Sequence, residues 1–112
     1  MATVTQTLLV ASQQLTGSDA VYWTSPANTT AQIGRAVFCN TTGSAATITA
    51  GITTGGALAA ATEIISARTI APGETYVSPE LAGQVIPAGS ALRALSGTAS
   101  AITVAVSGIT IQ

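Results

Sequence analysis

The sequence predicts an all-β protein: an antiparallel β-sandwich, jelly-roll-like, of about eight strands. Two observations carry this. Thr, Val and Ile are frequent, while the long-chain helix formers Glu, Lys, Arg, Leu and Gln are scarce. Turn punctuation then recurs along the whole chain, at Thr16–Asp19, Ser25–Asn28, Asn40–Gly43, Gly55–Gly56, Pro72–Gly73, Pro87–Gly89 and Ser96–Gly97. Short segments of strand character fill the gaps, which is the spacing of a sandwich or barrel.

The predicted strands cover residues 4–10, 20–24, 31–39, 45–54, 62–70, 74–78, 90–95 and 101–111. Residues 1–17 form an N-terminal arm or first strand, and residues 18–112 the sandwich, within one domain. In strand 20–24, Tyr22 and Trp23 are adjacent, so a regular strand turns them to opposite faces, one to the core and one to the surface. Strand 31–39 alternates Ile33, Val37 and Cys39 against Gln32, Gly34 and Ala36. Arg35 interrupts its apolar face, so it either snorkels at the rim or is paired. Strand 45–54 has the clearest pattern, with Ile48, Ala50 and Ile52 on one side and Thr47, Thr49 and Gly51 on the other.

From Gly56 to Ser66 two readings compete. Ala57–Ile65 is long enough for two helical turns, but the Gly pair before it and Ile64–Ile65 within it favour a loop that feeds a strand. The turns Ile70–Glu74 and Ile86–Ser90 echo each other in placing Pro and Gly after an apolar run, without extending into a repeat. In the closing strand Ile102, Val104 and Val106 alternate with Thr103, Ala105 and Ser107. A phase shift at Gly108 then hands the apolar role to Ile109 and Ile111, and a glycine there signals a bulge.

Composition removes most chemistry. The 112 residues include no His, one Cys, four carboxylates (Asp19, Glu63, Glu74, Glu80) and three arginines (Arg35, Arg68, Arg93), only 6% charged residues against about a quarter in an ordinary domain. A Ser-His or Cys-His nucleophile and an ordinary zinc site need histidine. Three scattered arginines make no basic face, so nucleic acid is not an expected partner. Residues 1–15 lack the positive charge and apolar run of a secretory signal, and no segment has the ~20 apolar residues of a membrane span, so no membrane partner is expected. A nearly uncharged chain with net charge −1 tends to associate, so other subunits are expected to cover much of its surface.

The remaining candidates have plain readings. Glu63, Glu74 and Glu80 lack the ligand spacing of a calcium loop and read as solvated turn residues. Cys39, beside Phe38, reads as a small core hydrophobe. Asn28-Thr29-Thr30 and Asn40-Thr41-Thr42 match the glycosylation pattern but read as turns. Thr47, Thr49, Thr53 and Thr54 are too irregular for an ice-binding ladder and suit a sheet face packed on another subunit. The expectation is no catalytic residue, no cofactor and no metal.

From Tyr22 to Gln112 the chain resembles small β-sandwich virion proteins of tailed bacteriophages. The resemblance rests on an aromatic strand followed by Pro26–Thr30, on Cys39–Thr49, on Ile70–Glu74, on Pro87–Arg93 and on the closing strand Ala101–Ile111. Each of these motifs is turn chemistry between strands. The resemblance implies a structural role, either as a capsid decoration (cement) subunit or as a tail or fibre module engaged in host attachment. Because the sandwich fills nearly the whole chain, the head surface is the favoured location. The implied protein is made in the host cytoplasm, forms a dimer or trimer, and binds the major capsid protein as well as copies of itself. Tyr22, Trp23, Pro26, Gly73 and Gly89 are the candidate interface residues.

Overall fold

The computed structural model describes residues 3–59 and 61–112. Met1 and Ala2, in the segment expected as an arm, and Ala60, in the segment expected as a loop feeding a strand, lie outside the described residues. The strands are β1 (Val4–Gln14), β2 (Ala20–Thr24), β3 (Thr30–Asn40), β4 (Ala46–Thr53), β5 (Glu63–Ile70), β6 (Thr75–Val77), β7 (Val85–Ile86), β8 (Ala91–Ser96) and β9 (Ile102–Ile111). All pairings are antiparallel.

One sheet, here sheet A, has the order β1-β9-β3-β6, with β7 also pairing β3; sheet B has the order β2-β8-β4-β5. The chain therefore passes between sheets at β1/β2, β2/β3, β3/β4, β5/β6, β7/β8 and β8/β9. This is the double Greek-key winding of a jelly roll. The short strands β6 and β7 share one edge position along β3, separated by a turn that contains Pro79. The two-residue β7 is not visible in the sequence pattern because a pair of residues has no period. Residues 54–59 and 61–62 form a loop, and no helix occurs among the described residues, as the Gly pair and Ile64–Ile65 suggested.

The core lies between the sheets. Sheet A contributes Ile33, Ala36, Phe38, Ile102, Val104 and Val106, and sheet B contributes Ile48, Ala50, Ile65, Ile70, Leu92 and Ala94. Leu9, Val10, Leu15, Leu81 and Ile86 close its margins.

Bulges account for the departures from the expected phases. Residue Gly34 is extra in β3, since Ile33 pairs with Gly108 and Arg35 with the adjacent Ser107. Opposite the same point Leu9 is extra in β1, between Leu8, which pairs with Ser107, and Val10, which pairs with Val106. The expected shift within the closing strand is thus corrected. Strand β9 alternates without interruption, and its two partners absorb the irregularity. Ile109 and Ile111 therefore share the outer face with Ala105, opposite to Val104 and Val106. A Cβ on Gly108 would collide with the carbonyl oxygen of Gln32, so the residue is glycine because a neighbouring backbone passes there.

The bulge at Gly34 also inverts the second half of β3. Ala36, Phe38 and Asn40 turn inward, while Val37 and Cys39 turn outward. Cys39 is accordingly a half-buried free thiol on the outer face, and its assignment to the core is corrected.

In β2 the extra residue is Tyr22, between Val21, which pairs with Arg93, and Trp23, which pairs with Leu92. As a result both aromatic rings are half-buried and pack against the core, instead of one pointing to each side. Trp23 Nε1 donates to Ser25 Oγ at 3.1 Å, and the Tyr22 hydroxyl accepts from the backbone N–H of Thr16 at 3.3 Å.

Candidate interaction surface

The charged side chains are unevenly placed. On the outer face of sheet B, Val21, Arg93, Gly51 and Glu63 lie in one cross-strand row. Arg93 Nε donates to Asp19 Oδ1 at 2.9 Å, and Asp19 Oδ2 accepts from Leu58 N–H at 2.8 Å. The hydrogen bond from Arg93, reinforced by the Leu58 amide, holds the Asp19 carboxyl below its ordinary range against the opposing effect of desolvation. The bond to Leu58 draws this part of the loop over the sheet, and a Cβ on Gly51 would collide with the Thr62 carbonyl. Sheet B is thus partly covered by its own chain.

At the seam between β5 and β6, Arg68 lies 4.0 Å from the centroid of the Tyr76 ring. The Tyr76 hydroxyl donates to the Glu80 carboxylate. Burial first, and then the hydrogen bond to Glu80, push the phenol above its ordinary pKa.

The outer face of sheet A is different. Register sets its rows as Val4–Ile111–Thr30, Gln6–Ile109–Gln32–Val85, Leu8–Ser107–Arg35, Ala105–Val37–Val77 and Thr103–Cys39–Thr75. Arg35 is the one charge in these rows; it is exposed, and among the described residues the ion pair is Arg93–Asp19. Of the five exposed large hydrophobic residues among the described residues, Val4, Leu8, Val77 and Val85 lie here, the first two each 61% exposed. Around the bulge, where Gly34, Gly83 and Gly108 bring no side chains, two adjoining shallow depressions of about 440 and 330 Å³ flank Ile109. Gln6, Leu8 and Gln32 form their rim. An uncovered, nearly uncharged sheet face of this kind is the composition of a contact surface.

The residues singled out as interface candidates fall elsewhere and do not converge. Pro26 and Gly89 are exposed in facing turns at one end of the sandwich, where Gly89 N–H donates to the Ser25 carbonyl at 3.0 Å. Gly73 lies at the opposite end, where its N–H donates to the Asn40 carbonyl at 3.0 Å. Gly73 and Gly89 both have positive φ, 73° and 83°, which accounts for glycine there without a partner. Tyr22 and Trp23 are packed on the core as described.

Asn40, from the Asn-Thr-Thr pattern, is fully buried and saturated. Its Nδ2 donates to the carbonyls of Ser44 and Ile70 at 2.8 and 2.9 Å, and its Oδ1 accepts from the N–H and Oγ1 of Thr42 at 3.0 and 2.8 Å. It clamps the end of the sandwich. Asn28 sits in an exposed turn with φ 62°.

The carboxylates are also dispersed. Glu63 begins β5, Glu74 accepts from Ala71 N–H beyond its other end, and Glu80 is held by Tyr76. Among the described residues no three metal-ligating side chains come together.

The sequence patterns missed Leu8, Val77, Val85 and Ile109 as surface residues. For Leu8 the available signal was in residues 4–10, a predicted strand with no charge, Gly or Pro on either face.

The strand order defines the class as a jelly-roll β-sandwich. No protein-family model and no curated protein sequence matches the chain. Among solved structures it is similar to that of infectious bursal disease virus strain Gx, with 16% identity, a TM-score of 0.56, and coverage of 99% of this chain and 32% of that one. The VP2 subviral particle of the same virus gives 15% identity, a TM-score of 0.56, and coverage of 98% and 32%. Strain Gt gives 14%, 0.53, and coverage of 98% and 31%. The chain thus spans about a third of the length of these viral chains, and what it shares with them is the fold.

Proposed function

We propose that the protein is a structural virion subunit, and specifically a capsid decoration (cement) protein on the head of a tailed bacteriophage. The observation that carries this reading is the similarity of nearly the whole chain to viral particle proteins, through a complete jelly-roll strand order. Two further features support it. One sheet face is uncovered and carries a single charge, Arg35, while the other charges lie on sheet B, at the seam or in turns.

The mechanism is mechanical. The outer face of sheet A spans four strand positions about 4.8 Å apart and strands of roughly 33 Å, some 600 Å² in plan. With side-chain relief this approaches the ~800 Å² per partner of a standard interface. Docked across neighbouring major capsid subunits, it adds apolar burial to each junction and resists pressure from packaged DNA. Repetition over the lattice multiplies the effect. No step requires a catalytic group, a cofactor or a metal.

The test is co-sedimentation of the purified protein with heads and, separately, with tails that lack it, counting bound copies. Saturation on heads at hundreds of copies is the expected result. Binding to tails in threes or sixes with heads bare would replace this reading by a tail module for host attachment, and binding to neither would remove the virion role.

A further inference from the structure

We infer that the free edge of β1 at Val4–Leu8 is a self-pairing strand that joins two copies of this chain into a two-fold dimer with one continuous sheet. The inference starts from the sheet edges. Unpaired edge strands attract other chains, and proteins blunt them by shortness, bulges, charge or proline. Strand β2 is short, bulged at Tyr22 and preceded by Asp19. Strand β5 carries Glu63 and Arg68, two register shifts and Ala67 at φ 48°. Strands β6 and β7 have three and two residues and are followed closely by Pro79 and Pro87.

Strand β1 has two register shifts of its own, at Leu9 and between Val10 and Gln13, but both lie beyond Val4–Leu8, and this segment is free of charge, proline and bulge. It pairs with β9 in unbroken register from Val4–Ile111 to Leu8–Ser107, and no described strand pairs with its other side. It carries no charge, and Val4, Thr5, Gln6 and Leu8 are exposed.

The hydrogen-bond phase identifies the occupant. Thr3 and Gln112 exchange both of their backbone bonds, each at 2.9 Å. In an antiparallel ladder this makes Thr5–Thr110 and Thr7–Gly108 the next hydrogen-bonded pairs, so the N–H and C=O groups of Val4, Gln6 and Leu8 point to the free edge. An antiparallel second copy centred on Gln6 places Gln6 opposite Gln6, Val4 opposite Leu8 and Thr5 opposite Thr7. Each of the Val4–Leu8 and Gln6–Gln6 pairs then exchanges two backbone bonds, using every outward group of the segment. On one face the 61% exposed Val4 and Leu8 cover each other across the junction. On the other, Thr meets Thr, a favourable cross-strand pair. Because the strand is neutral, identical copies meet without repulsion. Such isologous pairing is the commonest form of protein dimer. The contact does not depend on where in a virion the protein sits.

The test uses the purified full chain alone. Sedimentation velocity from micromolar to millimolar concentration should show a reversible monomer–dimer equilibrium. Gln6→Lys places two ammonium groups across the two-fold axis while leaving the monomer's folded near-ultraviolet signal intact, and should weaken the dimer roughly tenfold or more. Mixing Gln6→Lys with Gln6→Glu should restore association as a mixed dimer. In a Cys39→Ser background, Gln6→Cys should cross-link to itself on mild oxidation, since paired Cα atoms about 5.5 Å apart suit a disulfide. Thr5→Cys, which faces Thr7, should not. A monomeric wild type, a Gln6→Lys variant that associates as the wild type does, or equal cross-linking at positions 5 and 6 would overturn the inference.

Discussion

Replacing Asn40 by aspartate exchanges one NH2 group for an oxygen and leaves the shape of the side chain almost unchanged, so its cost isolates the hydrogen bonding at the end of the sandwich. One carboxylate oxygen keeps the two donors of Thr42. The other takes the place of Nδ2, where it faces the carbonyl oxygens of Ser44 and Ile70 with no solvent access to the residue. Two acceptors thus lose their donor and confront a negative charge. At about 1–3 kcal/mol for each orphaned buried group, the loss should be about 3–5 kcal/mol at neutral pH. That is a large part of the 5–15 kcal/mol available to a typical domain.

The sign of the pH dependence follows from the same geometry. Burial and the facing carbonyls raise the folded-state pKa of the introduced carboxyl above its unfolded value. The penalty therefore grows as pH rises from the unfolded pKa through the folded one, and shrinks in acid, where a proton restores one of the two lost donors. Urea unfolding of wild type and Asn40→Asp at neutral and mildly acidic pH measures both effects, with an unchanged m-value expected. A loss below about 0.5 kcal/mol, within the range of ordinary surface substitutions, or a loss independent of pH would mean that Asn40 does not hold this end of the sandwich through its amide.

Other perturbations have equally definite outcomes. Gly108→Ala drives a methyl group into the Gln32 carbonyl and should cost about 2–3 kcal/mol, read as a lowered Tm, because the central strands must shift to admit it. Asp19→Asn removes the partner of Arg93. Since the folded Asp19 pKa is depressed, its contribution is present above the unfolded carboxylate pKa and is lost as pH falls through the folded one, so the variant should show a flatter acid limb in thermal melts. Tyr76→Phe deletes the donor to Glu80 and should cost about 1 kcal/mol in urea unfolding. Because the Tyr76 pKa is raised, the same substitution should remove the late component of a spectrophotometric tyrosine titration.

The strands and turns of this chain were legible because local chemistry determines them. Ala46–Thr53 and Ile102–Val106 alternate as the sheet requires, and Pro72–Gly73 and Pro87–Gly89 mark turns where they occur. The phases beyond Gly34 and at Tyr22 were not legible. A bulge is a property of two paired strands, so the inversion that turns Phe38 inward and Cys39 outward depends on where Ser107 falls opposite β3. Gly108 was a correct sign of irregularity attached to the wrong strand: it admits the neighbouring backbone while β9 itself runs on regularly. The candidate surface was hidden for the same reason. Val77, Val85, Leu8 and Ile109 are distant in sequence and become one face only through β3 and β9. The aromatic pair drew attention by residue type, yet a single extra residue in β2 turned both rings to the core.

The central claim, a virion subunit that docks through the outer face of sheet A, is tested most directly by comparing two matched substitutions in head binding. Val77→Asp places a carboxylate in the apolar rows of sheet A, and Val21→Asp places one on the charged outer face of sheet B; both residues are exposed, so both variants should fold. The account predicts saturable binding of wild type and Val21→Asp to heads and loss of binding by Val77→Asp. Equal binding of the two variants, or no binding of the wild type, would contradict it.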